Sequence, residues 1–204
     1  MKLLYGTTNK GKLQHMRDML DGLDIDIIGL NEIKIDIRSI DERGNNPLEN
    51  ARIKALAYYK ATKMPVFSCD SGLFLDGLGL EEQPGVHIRR VKGKELNDEE
   101  MIQHYSNLAS KLGGEVKARY KNAICLVIDE QTIYEYDGYD ISSEEFIITS
   151  KVHSKKIEGF PLDAISLDVK TKRYYLDIEN NDSFINQDTM TLGFRNFFMQ
   201  TVLK

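Results

Sequence analysis

Two carboxylates far apart in the chain, Glu42 and Asp70, and two lysines, Lys12 and Lys54, have the types and settings to do chemistry. Asp70 follows the apolar run Pro65-Val66-Phe67 and precedes Ser71 and Gly72, with a further acid at Asp76. Acids are kept away from the ends of buried strands unless something pairs with them. Hard carboxylate oxygens suit Mg²⁺, which takes one or two protein carboxylates and completes its shell with water and substrate phosphates. Glu42 plus Asp70 is such a pair, with Asn9, Lys12 and Lys54 to neutralise phosphate oxygens. Asp70 could also orient or deprotonate a water for attack on phosphorus. The plainer alternative is a strand-end acid that caps the following turn through Ser71 and Gly72.

The flanking stretches carry the same two-sided reading. In Gly6-Thr7-Thr8-Asn9-Lys10-Gly11-Lys12 a strand runs into a helix start, where unpaired N–H groups and the positive dipole end attract phosphate. The spacing is not that of a Walker A loop, and an ordinary capped helix with two solvated lysines fits as well. Asp41-Glu42-Arg43-Gly44 precedes Asn46-Pro47-Leu48-Glu49-Asn50-Ala51-Arg52-Ile53-Lys54. Asn50 and Lys54 stand four apart and project from one helix face, either toward a ligand or as a solvated i,i+4 pattern.

The elements that must position these residues follow from periodicity. Lys2 to Tyr5 reads as a buried strand; Leu13, Met16, Leu20 and Leu23 recur at helical spacing behind an Asn9 N-cap. Ile25–Ile28 and Ile33–Ile37 read as short strands. Asn46-Pro47 opens a second helix, Pro65–Asp70 is a strand, and Leu73–Leu75 is a separate short one after a turn. Pro84-Gly85 marks another turn. Asn97 starts a third helix that stops at Gly113-Gly114. Lys117–Ile128 and Thr132–Tyr139 form a hairpin, with strands at Phe146–Thr149, Ala164–Val169 and Arg173–Ile178. A last helix begins near Asp188. Strand and helix alternate early and a strand-rich half follows, so the expectation is a mixed sheet with helices packed on it.

Bulk properties narrow the partners. The 204 residues suffice for one large domain, or for two lobes sharing a core. No apolar run is long enough to span a bilayer, and the N-terminus is not a secretory signal. Only Cys69 and Cys125 occur, with no CxxC, so a reduced, cytoplasmic setting fits. Four scattered histidines show no zinc-ligand spacing. A net charge of −5 argues against broad nucleic-acid binding and leaves room for a local basic pocket for a small polyphosphate.

The order of these motifs resembles the inosine/xanthosine triphosphate pyrophosphatase family. Its T-x-N-x-x-K pattern corresponds to Thr7, Asn9 and Lys12, and its acidic loop to Glu42. Its E-N-A-x-x-K-A helix corresponds to Glu49–Ala55, its D-D-S-G-L segment to Cys69–Leu73, and its P-G-V to Pro84–Val86. The resemblance implies a single α/β domain over residues 1–204, elongated and of two lobes with a central cleft, and a homodimer. It implies Mg²⁺-dependent cleavage of purine nucleoside triphosphates between the α- and β-phosphates, giving the monophosphate and pyrophosphate. Carried over by position, Asp70 orients the water and touches the metal, Glu42 holds the metal, and Lys12 and Lys54 hold phosphates. Thr7, Asn9, Asn50 and Ser71 complete the phosphate side. The family's G-F-G-Y-D-P motif falls at Gly159–Asp163, with Phe160 stacking on the purine and Asp163 beside it. Its S-H-R element falls at Gly193-Phe194-Arg195, where only Arg195 is retained, and its preceding lysine is Thr189. One acid of the pair is replaced by Cys69, a soft ligand unsuited to Mg²⁺.

Overall fold

The structure, a computed structural model, describes residues 1–33, 40–178 and 189–203. Its chain divides into two compact units: Met1–Ser71, Lys121–Ser143 and Gln187–Lys204 form the first, and Gly72–Tyr120 with Glu144–Asn186 the second. Two long strands, β3 (Val66–Leu75) and β6 (Glu115–Val127), contribute residues to both.

In the first unit the sheet order is β2 (Asp26–Gly29), β1 (Lys2–Tyr5), β3 and β6, with β7 (Ile133–Tyr136) also on β6. β1 is parallel to β2 and β3, whereas β6 and β7 form an antiparallel hairpin. Strand side chains alternate faces, and the core splits accordingly. Leu3, Tyr5, Phe67, Ile124 and Leu126 face α1 (Lys10–Met19) and α4 (Thr189–Thr201). Leu4, Val66, Cys125 and Val127 face Ala51 and Ala55 of α2 (Pro47–Thr62). Aromatic contacts fix α4: Tyr5 stacks on Phe67 at 4.6 Å, and Phe67 meets Phe198 edge-on at 5.0 Å.

In the second unit, β8 (Phe146–Thr149) and β9 (Ser166–Asp168) extend the antiparallel sheet from β6. α3 (Asp98–Lys111) sends Met101, Ile102, Tyr105 and Ala109 into a core with Leu73, Val116, Phe146 and Ile148. A small antiparallel ribbon of β4 (Arg90–Val91) and β5 (Lys94–Glu95) precedes α3. No helix among the described residues is long and apolar enough to cross a membrane.

Three expected elements differ. The turn expected at Asp70–Gly72 is continuous strand, because Leu73 exchanges both backbone hydrogen bonds with Gly85, at 2.9 and 3.0 Å. Gly72 allows that approach: a Cβ there would stand 3.2 Å from the Gly85 carbonyl. Ala164 and Ile165, the first two residues of the expected Ala164–Val169 strand, close the 3₁₀ turn Pro161–Ile165, and the strand itself, β9, is Ser166–Asp168. Arg173–Ile178 holds one bridge, Tyr174 to Leu167, and a 3₁₀ turn over Tyr175–Asp177, because Asp168 draws in the amides of Lys170 and Thr171 and reverses the chain. Most of the expected Ile33–Ile37 strand lies outside the described residues.

Gly193, inside α4, is where helix and the 138–142 turn come closest, since a Cβ would sit 2.4 Å from the Asp140 carbonyl oxygen. In a free helix Gly→Ala gains about 1 kcal/mol. Here the collision is with backbone, which cannot rotate away, and overpacking costs about 1–3 kcal/mol. Gly193→Ala should therefore lower the urea midpoint, and an unchanged or raised midpoint would show that α4 shifts freely.

Candidate active site

The local sequence of α2 sets the register of the site. Asn46 caps the helix by accepting the Glu49 amide at 2.9 Å, and Pro47 occupies the first helical position. The Glu49 carboxylate reaches back to the Asn45 amide at 2.8 Å and to the Asn46 side-chain amide at 2.9 Å. With that start fixed, Asn50 and Lys54 fall on one stripe facing β3.

Asn50 is 3% exposed and uses both ends of its amide. Its Oδ1 accepts the Gly44 amide at 2.8 Å, and its Nδ2 donates to Asp70 Oδ2 at 3.1 Å. Gly44 is required there, because a Cβ would lie 2.6 Å from Asn50 Oδ1. One turn further, Lys54 Nζ donates to Asp70 Oδ1 at 2.8 Å and pairs with Glu42 Oε2 at 3.1 Å. The two acids, twenty-eight positions apart, thus meet on one ammonium. Lys54 and Asp70 side chains are 11% and 14% exposed, and Glu42 is open to solvent at 42%. Burial works against the Lys54 charge, but Asp70 and Glu42 together outweigh it and hold its pKa above the ordinary value.

Beside this cluster lies the strand-to-helix junction before α1. Thr7 Oγ1 accepts the Asn9 amide at 3.2 Å, and Asn9 Oδ1 accepts the Lys12 amide at 3.1 Å, so both side chains shape and cap the helix start. The Lys12 side chain is exposed and makes no ion pair among the described residues. Gly6 is wedged: a Cβ would stand 2.2 Å from Ser68 Oγ and 2.6 Å from the Tyr58 ring. Tyr58, i+4 from Lys54, is the third member of the Asn50–Lys54 stripe. Ser68 Oγ is buried without a hydrogen-bond partner. Ser71 alternates to the strand face opposite Asp70, the face shared by Cys69.

Cys69 is not an acid in disguise. Burial, the largest influence, pushes its thiol up to about 12, although Tyr5, Lys12 and Lys54 pull the other way. Cys69 and Cys125 pack on opposite faces of the sheet, which keeps them unpaired. Among the described residues no cluster of three or more His, Cys, Asp or Glu could hold a metal.

The expected base-reading residues belong to the second unit. Phe160 is half exposed at 50%, next to Gly159, whose φ of +81° suits glycine. Asp163, two residues into the 3₁₀ turn that Pro161 opens, is partly buried, and burial raises its carboxyl pKa.

Arg195 is placed elsewhere. Its Nη1 donates to the carbonyls of Met19 at 3.0 Å and Asp21 at 2.7 Å, satisfying the C-terminal end of α1. Along the helix axis that end is about 15 Å from Asn9 and about 10 Å from Lys12. Phe194, standing where the histidine was expected, is 3% exposed in the core, and Thr189 opens α4 at the surface.

A profile of the Ham1 family matches residues 3–140, a span that includes Thr7, Asn9, Lys12, Glu42, Asn50, Lys54 and Asp70. Over 166 residues the chain is 34% identical to the dITP/XTP pyrophosphatase of Leptospira interrogans serogroup Icterohaemorrhagiae serovar copenhageni, 80% of this chain and 79% of that one. It is 35% identical over 129 residues to the dITP/XTP pyrophosphatase of Symbiobacterium thermophilum, 62% and 61% of the two chains. Among solved structures, a HAM1 protein from Coxiella burnetii covers 100% of this chain and 98% of its own at a TM-score of 0.72 and 24% identity, a likeness of fold.

Two outcomes follow from the geometry. Lys54→Met leaves two carboxylates without their shared cation and should cost about 3 kcal/mol in urea unfolding. Because folding raises the Lys54 pKa, its contribution is whole just below the ordinary value of 10.5 and disappears as pH climbs through the folded value; on the alkaline side wild type and variant should converge at strongly alkaline pH. Cys125, 0% exposed and with its thiol pushed up to about 12 by burial, should resist iodoacetamide in the folded protein and react once it is unfolded. Rapid native alkylation, read by mass spectrometry, would contradict the burial argument.

Proposed function

The chain belongs to the Ham1 family, and we propose that it hydrolyses non-standard purine nucleoside triphosphates, of the dITP/XTP kind, to the nucleoside monophosphate and pyrophosphate. The observation that carries this reading is the convergence of Glu42 and Asp70 on Lys54, 3.1 and 2.8 Å from its ammonium. Such a cluster has no structural need to leave Glu42 open to solvent.

In this reading Asp70 orients and accepts a proton from the attacking water, its second oxygen held in place by Asn50. Lys54 holds the other Asp70 oxygen and stabilises charge developing on the phosphate. Lys12 and the open end of α1 receive phosphate oxygens, on a loop that Thr7 and Asn9 shape. Glu42 and Asp70 are the residues that would hold Mg²⁺. They fit it on donor chemistry, as two hard carboxylates already directed at one cation, whereas the neutral Cys69 thiol does not. When bound, Mg²⁺ supplies neutralisation of the triphosphate charge. For the base we assign Phe160 as the stacking surface and Asp163 as the polar neighbour, on the exposure of the first and the partial burial of the second. The homodimer suggested by the resemblance belongs to the same proposal, and sedimentation equilibrium tests it.

A second reading, the same reaction with a different base preference, is favoured by one observation. Arg195 is committed to the α1 carbonyls, and Phe194 is in the core, so neither has a hydrogen-bond donor directed at a base edge. Loss of donors built for one base edge can relax discrimination by ~10⁴ in the strongest cases.

A panel of nucleoside triphosphates, scored for pyrophosphate release with and without Mg²⁺, separates the readings. We expect Mg²⁺-stimulated turnover of inosine or xanthosine triphosphate, with Asp70→Asn lowering kcat by about 10²–10⁴-fold. Tenfold preference for guanosine or adenosine triphosphate would establish the second reading. Turnover that survives Asp70→Asn would remove Asp70 from the chemistry.

A further inference from the structure

The N-terminus of α3 holds the segment that carries Phe160, and it does so through a residue the helix itself does not need. α3 is already capped: Asn97 Oδ1 accepts the Glu100 amide at 2.9 Å, and Glu100 accepts the Asn97 amide at 3.0 Å. Asp98, the first helical residue, is left over from that capping box, and its two oxygens go elsewhere. Oδ2 accepts the Gly159 amide at 2.7 Å, and Oδ1 pairs with Arg89 at 2.8 Å. These bonds join the stretch following Pro84-Gly85-Val86 to the Gly159–Asp163 stretch, two pieces of sequence sixty to seventy residues apart.

A Cβ built at Gly159 would point into open space, so no side chain could anchor this residue at φ +81°, and its amide is tied instead to Asp98. The next residue is Phe160, whose amide donates to Ile157 at 3.0 Å and whose carbonyl accepts the Asp163 amide at 3.2 Å. The angle at which the half-exposed ring is presented thus follows from where the Gly159 amide is pinned. A second tether, Lys156 to Glu99 at 2.5 Å, fastens the same segment to the same turn of α3.

We propose that Asp98 is a positioning residue for base recognition: by fixing the Gly159 amide it sets the pose of Phe160, and Arg89 holds the Asp98 carboxylate in place. The proposal rests on the assignment of the base to Phe160. The Gly159 amide and then Arg89 hold the Asp98 carboxyl below its ordinary pKa, so it stays ionised through the neutral range and is a strong acceptor.

Calorimetric titration with the two products tests it, because inosine monophosphate carries the base and pyrophosphate does not. Asp98→Ala should weaken inosine monophosphate at least tenfold and leave pyrophosphate within twofold. Asp98→Asn, which keeps an oxygen for the Gly159 amide, should remain within threefold of the wild-type protein for both. In turnover the Asp98→Ala loss should fall on KM more than on kcat. Inosine monophosphate affinity that is unchanged in Asp98→Ala, or weakened in parallel with pyrophosphate, overturns the proposal. Both variants should fold, since the Asn97–Glu100 capping box is intact, and a parallel drop in both affinities would expose a purely structural role. A wild-type protein that binds neither product and releases no pyrophosphate sinks the functional reading itself, a pattern distinct from any effect of the variants.

Discussion

One ammonium shared by two carboxylates is the constraint around which the first unit is arranged. Placing Lys54 between Asp70 and Glu42 requires three things at once. β3 must run straight enough for Asp70 to face α2. The α2 register must put Asn50 and Lys54 on that face. The 42–44 loop must come back to the helix start, which Asn50 ensures by accepting the Gly44 amide while donating to Asp70. Each condition has its own local device: Gly72 for the strand, the Asn46–Glu49 cap for the register, and Gly44 for the loop. Partial burial makes the arrangement demanding, since a charge at 11–14% exposure is tolerated only with its partners in place.

The helices were legible because their signals are local. Asn9, Asn46 and Asn97 each cap a helix where their positions beside an amphipathic run said they would. The meeting of Glu42, Lys54 and Asp70 was legible only through motif order, because nothing in the spacing of residues 42, 54 and 70 dictates proximity. What escaped was set by distant neighbours. Asp70-Ser71-Gly72 has the composition of a turn, yet Gly85 supplies a backbone partner that keeps it extended. The packing of Tyr58 against Gly6 depends on where β1 ends, which no local signal at residue 58 gives. Arg195 kept its residue type but not its expected neighbours; α4 packs on α1, and the guanidinium finds carbonyls there.

Cys69 shows how one substitution redistributes this balance. Where the resembling family carries a pair of acids, this chain has a thiol that burial keeps neutral. The charges that remain are Glu42 and Asp70 against Lys54, with Lys12 nearby, so the cluster is close to neutral rather than acidic. A further carboxylate beside Asp70 would compete for Lys54 and add like-charge repulsion within the cluster. Its absence leaves Lys54 shared between Asp70 and Glu42 and the Asn50 amide nitrogen directed at Asp70. The chain therefore relies on the rigidity of these hydrogen bonds, more than on carboxylate number, to hold both Asp70 oxygens in place.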